Sequence, residues 1–561
     1  MSAVAGVRPV GREPYLAARV LNALLREDFA GIASRLKRDR EGVALVLASG
    51  RRVRLAPGGL FQDFSIAPEE TLTLAEVLET LEAVATPADT AGVAAFATEC
   101  HETLAALELH DRHGARALER VPGPIRYEAL AAAVDHPVYP TARCRLGVPA
   151  EGLLAYAPEF APAFELRWAA VPRERVTLSA EAQTFPGVRR GALSETVSRA
   201  AQEVVSGPVS RVSPAVVPDH APALFPRPAD VGLPDRLADT HVLFPVHPLA
   251  LPVVTGIPGV IVAGVPYLRV RPTLSMRTVV AGERLHLKLP IPTSTLGLRN
   301  RRSIKPATLR DGALAERLLR EVLGAEPDLP VLLADEQVHG HAGHEYLGWM
   351  VRRLPPGEIV PVAALAAPGV LPELAARFRG GDVRALLREY LTLLFAWNVR
   401  LFVRYGIALE AHQQNLSLVF ADGTTRLMVK DNDGLLAAPD RLAAAGLAVP
   451  DFADERMLTD DPHSLADVFV TITLHLSAAA VAFGAVEDAA GLVREALDGA
   501  LAEYGEHPMA RLLRARTLDA ARLVGKSMVT AATLVDKQRT GARDVNKFYG
   551  TSGPNYLRFP R

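Results

Sequence analysis

The chain has 561 residues, 49% of them apolar, and a formal net charge of −1. This length exceeds one typical hydrophobic core, so we expect two or three domains. The balanced charge argues against nucleic acid as a partner, because no basic surplus is present to neutralise phosphates. The two cysteines, Cys100 and Cys144, provide no disulfide framework and fit a reducing cytoplasm.

Three regions follow one another along the chain. The stretches "YLAARVLNALL" and "LTLAEVLETLEAV" carry apolar residues at helical spacing, which predicts a mainly helical domain over residues 1–147. The N-terminal segment lacks the apolar core of a signal peptide. A Pro-, Val- and Gly-rich composition then predicts a strand-rich domain over residues 148–375. The last region, residues 376–561, reads as mainly helical, with one helix from about Val383 to Arg404 ending at Gly406.

The strand-rich region contains a stretch that suits a polyanion, "PTLSMRTVVAGERLHLKLPIPTSTLGLRNRRSIKP". Lys288 stands on the alternating strand "LHLKLPI". Only seven of the 62 basic residues are lysine, so a retained lysine is weak evidence that a compact ammonium is required. We treat Lys288 and Lys526 in this way, and Lys37, Lys305, Lys537 and Lys547 as surface residues. The predicted anion-binding side chains are those of Ser275, Arg277, Thr278, Lys288, Thr295, Arg299 and Arg302.

The last region contains a predicted hairpin with polar residues at both of its open ends. "LSLVF" and "RLMVKD" alternate with period two, and "ADGT" between them supplies a turn. "EAHQQN" enters the first strand and "KDNDG" leaves the second, so Glu410, Asn415 and Asp431 should meet. Their oxygens suit Mg²⁺, and His412 and Gln414 could face a phosphate. Protein kinases hold Mg²⁺ by a similar device, although their other motifs are absent.

Three tempting interpretations are not favoured. "AARLVGKSM" imitates a Walker ending at Lys526, but Ala520 replaces the first glycine and the pattern looks helical. "HGHAGHEYLG" does not have zinc-ligand spacing. "VFVTITLHLSAAAVAFGAV" approaches the length of a membrane span, yet threonine, histidine and serine interrupt it, so a buried helix is the better prediction.

These motifs, taken in order, resemble the IucA/IucC (aerobactin synthetase-like) family of siderophore synthetases that work without nonribosomal peptide synthetases. "DHPVYPTARCRLG" resembles the family element GHPxHPxxKxRxG, and "FPVHPLALPVV" resembles PVHPWQ. "SMRT" with the Lys288 to Arg299 segment resembles the ATP and carboxylate element. "EAHQQN" is similar to ExHxQN, "VKDNDG" stands where the family has an RD pair, and "GKSMVTAATLVDKQ" resembles a C-terminal lysine helix.

The resemblance implies an α+β cupped hand with thumb, fingers and palm, the palm carrying the kinase-like metal-binding hairpin. It implies ATP and Mg²⁺ as cofactors. ATP would be held by Ser275, Arg277, Thr278, Lys288, Arg299, His412, Gln414 and Asn415. Mg²⁺ would be held by Glu410, Asn415 and Asp431. The carboxylic acid would face His136, Arg143, Arg145, Thr295, Arg299 and Lys526. His412, Arg277, Lys288 and Lys526 would carry the chemistry.

The sequence departs from the family pattern at four positions, of which 139 and 143 lie in the acid-facing region and therefore concern the identity of the acid more than the ATP chemistry. Tyr139 replaces the second histidine of the first element, Arg143 replaces its lysine, Leu249 replaces a tryptophan, and Lys430 replaces the arginine before Asp431. The choices between Thr293 and Thr295, and between Arg299 and Arg302, stay open.

The predicted function is that of a cytoplasmic ligase for siderophore biosynthesis and iron acquisition. It would adenylate a polycarboxylic acid, citrate or a citrate derivative, and condense it with an amine or alcohol, releasing AMP and pyrophosphate. Alternatives are the same chemistry on a dicarboxylate such as 2-oxoglutarate or a succinate monoamide, a kinase-like phosphotransferase, and a non-catalytic ferric-chelate binding protein. No membrane or nucleic-acid partner is expected, and the apolar domains are compatible with a homodimer.

Overall fold

The computed structural model describes residues 11–119, 121, 123–188, 223–542, 544 and 547–558, which form a mixed α+β fold. The first region is built on helices Arg12–Glu27, Leu74–Val84, Thr90–Leu118 and Ile125–Ala132. The first two are the helices predicted from apolar spacing. An antiparallel four-stranded sheet, Leu36–Asp39, Gly42–Val46, Arg52–Pro57 and Phe64–Ile66, lies between them and was not predicted.

The central region is organised around a seven-stranded sheet. Its strands, in spatial order, are Phe164–Glu165, Arg269–Pro272, Thr278–Gly282, Leu285–Lys288, Gly348–Arg353, Asp335–His341 and Thr177–Leu178. A three-stranded sheet packs nearby in the order His241–Val246, Arg167–Pro172, Ile261–Val262. The helices of this region are Ala150–Tyr156, Ala180–Thr184, Leu237–Thr240, Leu251–Thr255 and Pro306–Ala325. Of the predicted strand "LHLKLPI", only Leu285–Lys288 forms a strand, so Lys288 is its last residue.

The last region combines helices with the predicted hairpin. Its four-stranded sheet has the order Val331–Leu333, Thr424–Val429, Leu416–Ala421, Glu358–Pro361. Two further strand pairs are Ile407–Ala408 with Leu436–Ala437, and Arg522–Lys526 with Tyr549–Pro554. Its helices are Val370–Phe378, Val383–Arg400, Pro439–Ala444, Pro462–Val468, Ala480–Ala482, Ala489–Ala502, Pro508–Arg516 and Lys537–Thr540. The predicted boundary between residues 375 and 376 lies inside helix Val370–Phe378.

The long apolar segment is a core helix. Residues Pro462–Ala482 form the one described helix with the length and hydropathy of a membrane span, and 89% of its apolar window is buried inside the protein. Its middle part, Phe469–Ala479, is wound as a π-helix, a form often found beside functional sites. The Ser477 hydroxyl donates to the carbonyl of Ala411, so this helix directly supports the "EAHQQN" loop.

Candidate active site

The hairpin forms as predicted and places both polar motifs at its open end. Leu416 pairs with Val429 at that end, and Ala421 pairs with Thr424 at the turn. Asp422 (φ 51°) and Gly423 (φ 71°) adopt the left-handed conformation that two-residue hairpin turns require. The backbone N–H of Lys430 donates to the carbonyl of Asn415, 3.0 Å away, which brings "KDNDG" against "EAHQQN".

The "SMRT" motif is a tight connection between two antiparallel strands, Arg269–Pro272 and Thr278–Gly282. Met276 (φ 62°) takes a left-handed conformation that non-glycine residues adopt rarely, and only where surrounding structure enforces it. The Ser275 hydroxyl accepts the N–H of Thr278 at 3.1 Å, and Arg277 donates to the carbonyl of Ser303 at 2.8 Å. The turn therefore aims Ser275 and Arg277 into the cleft, whereas Thr278 remains in the buried strand.

Lys288 and Asp431 join the central sheet to the hairpin. The Lys288 ammonium is paired with the Asp431 carboxylate and lies 3.7 Å from Asp433. Burial alone would raise the pKa of Asp431, but the charges of Lys288, Arg352 and Arg277 outweigh it and hold that pKa well below its usual range. Asp431 also has a left-handed backbone, φ 62°. An ionised carboxylate is thus held at one fixed point.

Two buried residues behind Asp431 were not predicted as part of the site. Both carboxylate oxygens of Glu336 accept the backbone N–H of Asp431, at 3.0 and 3.2 Å. Arg352, on the neighbouring strand, is ion-paired with Glu336 and lies 3.8 Å from the Asp431 carboxylate. Burial raises the pKa of Glu336. Both residues are charged and lie inside strands, and charged residues are rarely buried without a partner. This pattern was the sequence signal that could have identified them.

Two adjoining cavities open at this point. The first, about 440 Å³, is lined by Lys288, Arg299 and several charged residues, and the second, about 330 Å³, by His136, Arg143, Arg145, Ser275, Thr295, His412, Gln414, Asn415 and Lys526. Six residues line both: Arg277, Asn300, Arg302, Glu410, Asp431 and Asp433. The fold therefore brings together every predicted site residue except Thr278, whose side chain is not among those lining either cavity.

Two histidines enter the second cavity as neutral hydrogen-bond donors. Burial, followed by the charge of Lys526, lowers the pKa of His412 to about 4, and burial, followed by His412, lowers that of His136 to about 3. Nδ1 of His136 accepts the N–H groups of Val138 and Tyr139, and Nδ1 of His412 accepts the N–H of Gln414. In both rings the proton therefore resides on Nε2.

The predicted acid-binding loop presents Arg143 and Arg145 but not Tyr139. Tyr139 is fully buried, and its hydroxyl donates to Glu99 at 3.0 Å on the far side of the loop. The expectation that this departure faces the acid is therefore wrong, because the ring faces the core beside helix Thr90–Leu118 rather than the cavity. Arg143 and Arg145 line the cavity, yet each already contacts a carboxylate, Asp135 at 2.8 Å and Glu159 at 3.9 Å respectively.

Lys526 lies at the end of a strand, not on the predicted helix. Strand Arg522–Lys526 pairs with Tyr549–Pro554, and the helical turns begin only after Ser527. Pairing with this partner strand overrides the local helical pattern. The prediction missed the pairing because the partner strand lies distant in the sequence. As predicted, Lys526 does not lie in a glycine-rich phosphate-binding loop. The carboxylate of Glu27 accepts the N–H groups of Val529 and Thr530, which anchors the following helix to the first region.

Side-chain contacts help to choose between the neighbouring threonines and between the neighbouring arginines that the sequence left open. The Thr293 hydroxyl donates to the carbonyl of Leu146 and is not among the cavity-lining groups, whereas the Thr295 hydroxyl accepts from Arg302 inside the second cavity. Arg299 lines the first cavity and Arg302 lines both. Burial, followed by the charge of Arg277, lowers the pKa of Arg302 to about 9, so it remains cationic at neutral pH.

Lys547 belongs to the cleft rather than to the surface. Its ammonium donates to the carbonyl of Gly434 at 3.0 Å and lies 3.9 Å from Glu410. Burial raises the pKa of Glu410, and Lys547 and Lys526 oppose that rise. Lys305 and Lys537 are exposed as expected, although both reach the rim of the first cavity.

Comparison with known families divides the chain into two matched segments. Residues 124–367 match the family described as IucA / IucC, and residues 384–541 match the one described as Ferric iron reductase FhuF-like transporter. Residues 124–367 belong to the IucA / IucC family. The membership inferred from the motifs is thereby confirmed for this segment, which contains "SMRT", Lys288 and the loop with His136. The comparison with curated proteins gave no match.

Solved structures extend the likeness of the IucA / IucC segment to the rest of the chain. The petrobactin biosynthesis protein AsbB of Bacillus anthracis str. Sterne superposes with a TM-score of 0.72 at 18% identity, over 97% of this chain and 95% of its own. Aerobactin synthetase IucC of Klebsiella pneumoniae gives 0.64 at 21% identity, over 90% and 93%. ATP-bound aerobactin synthetase IucA of that organism gives 0.66 at 16% identity, over 97% and 99%. The fold is therefore shared with these proteins.

The second matched segment contains no cysteine that could bind an iron–sulfur cluster. Both cysteines of the chain, Cys100 and Cys144, lie outside residues 384–541. Thiolates are the usual ligands of iron–sulfur clusters. What this segment contributes to the cleft is instead the hairpin, Lys526 and the core helix beneath the "EAHQQN" loop.

Proposed function

We propose that this protein is an ATP-dependent siderophore synthetase. It activates a carboxylate of a polycarboxylic acid, such as citrate or a citrate derivative, as the acyl-adenylate, with release of pyrophosphate. An amine or hydroxyl then displaces AMP and gives an amide or ester. The proposal includes soluble, cytoplasmic action on small molecules and the thumb, fingers and palm arrangement inferred from the resemblance.

One observation carries this proposal: cations and oxygen ligands converge where the two cavities meet. Arg277, Arg302 and the Lys288–Asp431 pair stand at or beside the shared wall. Attack of a carboxylate on a phosphate brings two anions together, so its barrier depends mainly on fixed positive charge. The junction supplies such charge at the point where the nucleotide phosphates and the acid would meet.

The donor set at the junction suits Mg²⁺. Among the described residues, no group of three or more His, Cys, Asp or Glu side chains is placed to hold a metal ion, and the proposed Mg²⁺ site uses only two carboxylates. Mg²⁺ is usually bound by one or two carboxylates together with phosphates and water. Glu410 and Asp431 supply the carboxylates, and Nδ2 of Asn415 donates to the carbonyl of Glu410, which leaves its Oδ1 as a third oxygen. Bound Mg²⁺ would neutralise developing phosphate charge.

The chain's own residues divide the work between the two steps. Arg277 and Lys288 hold phosphate oxygens in the position for attack, and Ser275 and Gln414 orient the nucleotide. The neutral Nε2–H of His412 donates to an oxygen that gains negative charge when the adenylate forms or collapses. Lys526 places its ammonium beside the reacting carboxylate in the second cavity.

Pyrophosphate release measured across a panel of acids tests the proposed function. We expect ATP to yield AMP and pyrophosphate only when citrate, a citrate monoamide, 2-oxoglutarate or succinate is supplied, with or without an amine. Formation of ADP would instead favour a phosphotransferase. Absence of both products with every acid would favour a binding protein and refute the synthetase.

The charge of Lys526 gives a predicted pH dependence. Burial, the largest influence, lowers the pKa of Lys526 to about 8; Glu410 and Asp544 oppose this, and Lys547 adds to it. His136 and His412 also face it and are neutral in this range. The ammonium is therefore lost as the pH rises through about 8, and kcat/KM for the acid should fall there. Lys526→Arg should abolish this alkaline limb, and a limb that persists in Lys526→Arg would contradict the assignment.

A further inference from the structure

Two of the three arginines expected to bind the acid, Arg143 and Arg145, already lie beside carboxylates of the protein. Nε of Arg143 donates to Asp135 at 2.8 Å, and a second nitrogen of the same guanidinium donates to the carbonyl of Ala133. Asp135 itself lines the second cavity and also accepts the hydroxyl of Tyr15 at 2.6 Å. Burial opposes ionisation of Asp135, but Arg143 and Arg19 hold its pKa below the usual range.

Arg145 is balanced in a similar way. It lies 3.9 Å from the Glu159 carboxylate, which is 2% exposed, and one of its nitrogens donates to the carbonyl of Ala142 at 2.9 Å. In the two histidines of this cavity, Nδ1 accepts backbone N–H groups, so neither ring is placed as a doubly protonated cation. Of the cavity's cations, Arg277 lies at the junction assigned to phosphate. Of the other described cations that line this cavity, Arg302 and Lys526 have no carboxylate within ion-pair distance.

Resting on the proposed synthetase function, we propose that the second cavity selects an acid with two carboxylates and that Asp135 sets this limit. Such an acid is a dicarboxylate, or a tricarboxylate with one carboxyl already converted to an amide. One carboxylate is the reacting group beside Lys526, and the other pairs with Arg302. A third carboxylate would meet Asp135 instead of a free cation, and like charges held close together reject a ligand by repulsion.

The position of Asp135 in the motif supports a role in selection. In "DHPVYPTARCRLG" it stands where the family element GHPxHPxxKxRxG has glycine, and its partner Arg143 stands where that element has lysine. This chain has therefore added a negative charge to the wall of the cavity together with a guanidinium that fixes it. A glycine at this position would leave the cavity more positive by one charge.

The wild-type protein gives the first test. We expect kcat/KM for pyrophosphate release to be about tenfold higher or more for citrate monoamide, succinate or 2-oxoglutarate than for citrate, since rejection of a third carboxylate is a difference in binding. The three two-carboxylate probes distinguish a dicarboxylate from an amidated tricarboxylate. A preference for citrate would overturn the inference and leave the synthetase function standing, whereas release with none of the acids would refute the function itself.

The second test is a charge-neutral variant. Asp135→Asn keeps the shape and one hydrogen bond, and we expect it to shift the ratio of kcat/KM values toward citrate by about tenfold. Asp39→Asn is the matched control, because Asp39 pairs with Arg52 and Arg54 in the first region and lines neither cavity. Glu159→Gln removes the carboxylate beside Arg145 and should shift the ratio in the same direction. This variant replaces Asp135→Asn in the test if Asp135→Asn lowers the melting temperature. Unchanged ratios in folded variants would overturn the role of Asp135.

Discussion

We expect Asp431→Asn to lower acid-dependent pyrophosphate release by about 10³-fold or more while the protein stays folded. Loss of a carboxylate ligand removes charge stabilisation of several kcal/mol from the transition state. The fold should persist, because asparagine tolerates the left-handed backbone of residue 431 and still offers an N–H to Glu336. The measurement is pyrophosphate release at saturating acid, with the melting temperature recorded beside it.

Asp422→Asn is the control for this substitution. Asp422 is exposed, has a left-handed backbone of its own (φ 51°), and lies at the opposite end of the same hairpin. Its variant should release pyrophosphate at the wild-type rate. A folded Asp431→Asn protein with near-normal turnover would remove Asp431 from the proposed Mg²⁺ site.

Lys526→Ala should reduce acid-dependent pyrophosphate release by about 10²-fold and leave the KM for ATP within a few-fold, as expected for a charge that acts mainly in the transition state. Lys526→Arg should rescue poorly, since a planar guanidinium does not replace a point charge at the end of a strand. Lys37→Ala, in an exposed strand of the first region, is the control.

Two results would contradict this assignment of Lys526. A large rise in the KM for ATP would indicate that Lys526 binds the ATP phosphates, as in the phosphate-loop interpretation. Unchanged turnover would show that its ammonium contributes nothing to the reaction. Both kinetic constants should therefore be measured with ATP and acid varied separately.

The parts of the site that were predictable are those with a local pattern. The hairpin from Leu416 to Val429 combines period-two alternation with an Asp-Gly turn, so its register fixes where Glu410 and Asp431 meet. Lys288 was found for the same reason, because its strand alternates. The helices Arg12–Glu27 and Leu74–Val84 follow from apolar spacing.

The parts that were missed depend on contacts between distant segments. Strand Arg522–Lys526 has a helical composition and becomes a strand only because Tyr549–Pro554 pairs with it. Glu336 and Arg352 form a buried ion pair across two strands, and nothing in either strand alone indicates the other. Tyr139 faces Glu99 rather than the cavity, since the path of the loop is set by helix Thr90–Leu118.

The strand pair that holds Lys526 also has a consequence for synthesis of the protein. The second cavity draws on residues from Ala131 to Met528, and Lys526 is fixed only once residues 549–554 can pair with its strand. Domains fold in order as a chain is made, and contacts across such long separations form slowly. A ribosome-bound chain that stops before residue 549 therefore lacks the partner strand that positions this ammonium. Activity should begin only after that strand emerges, so a growing chain would not consume ATP prematurely.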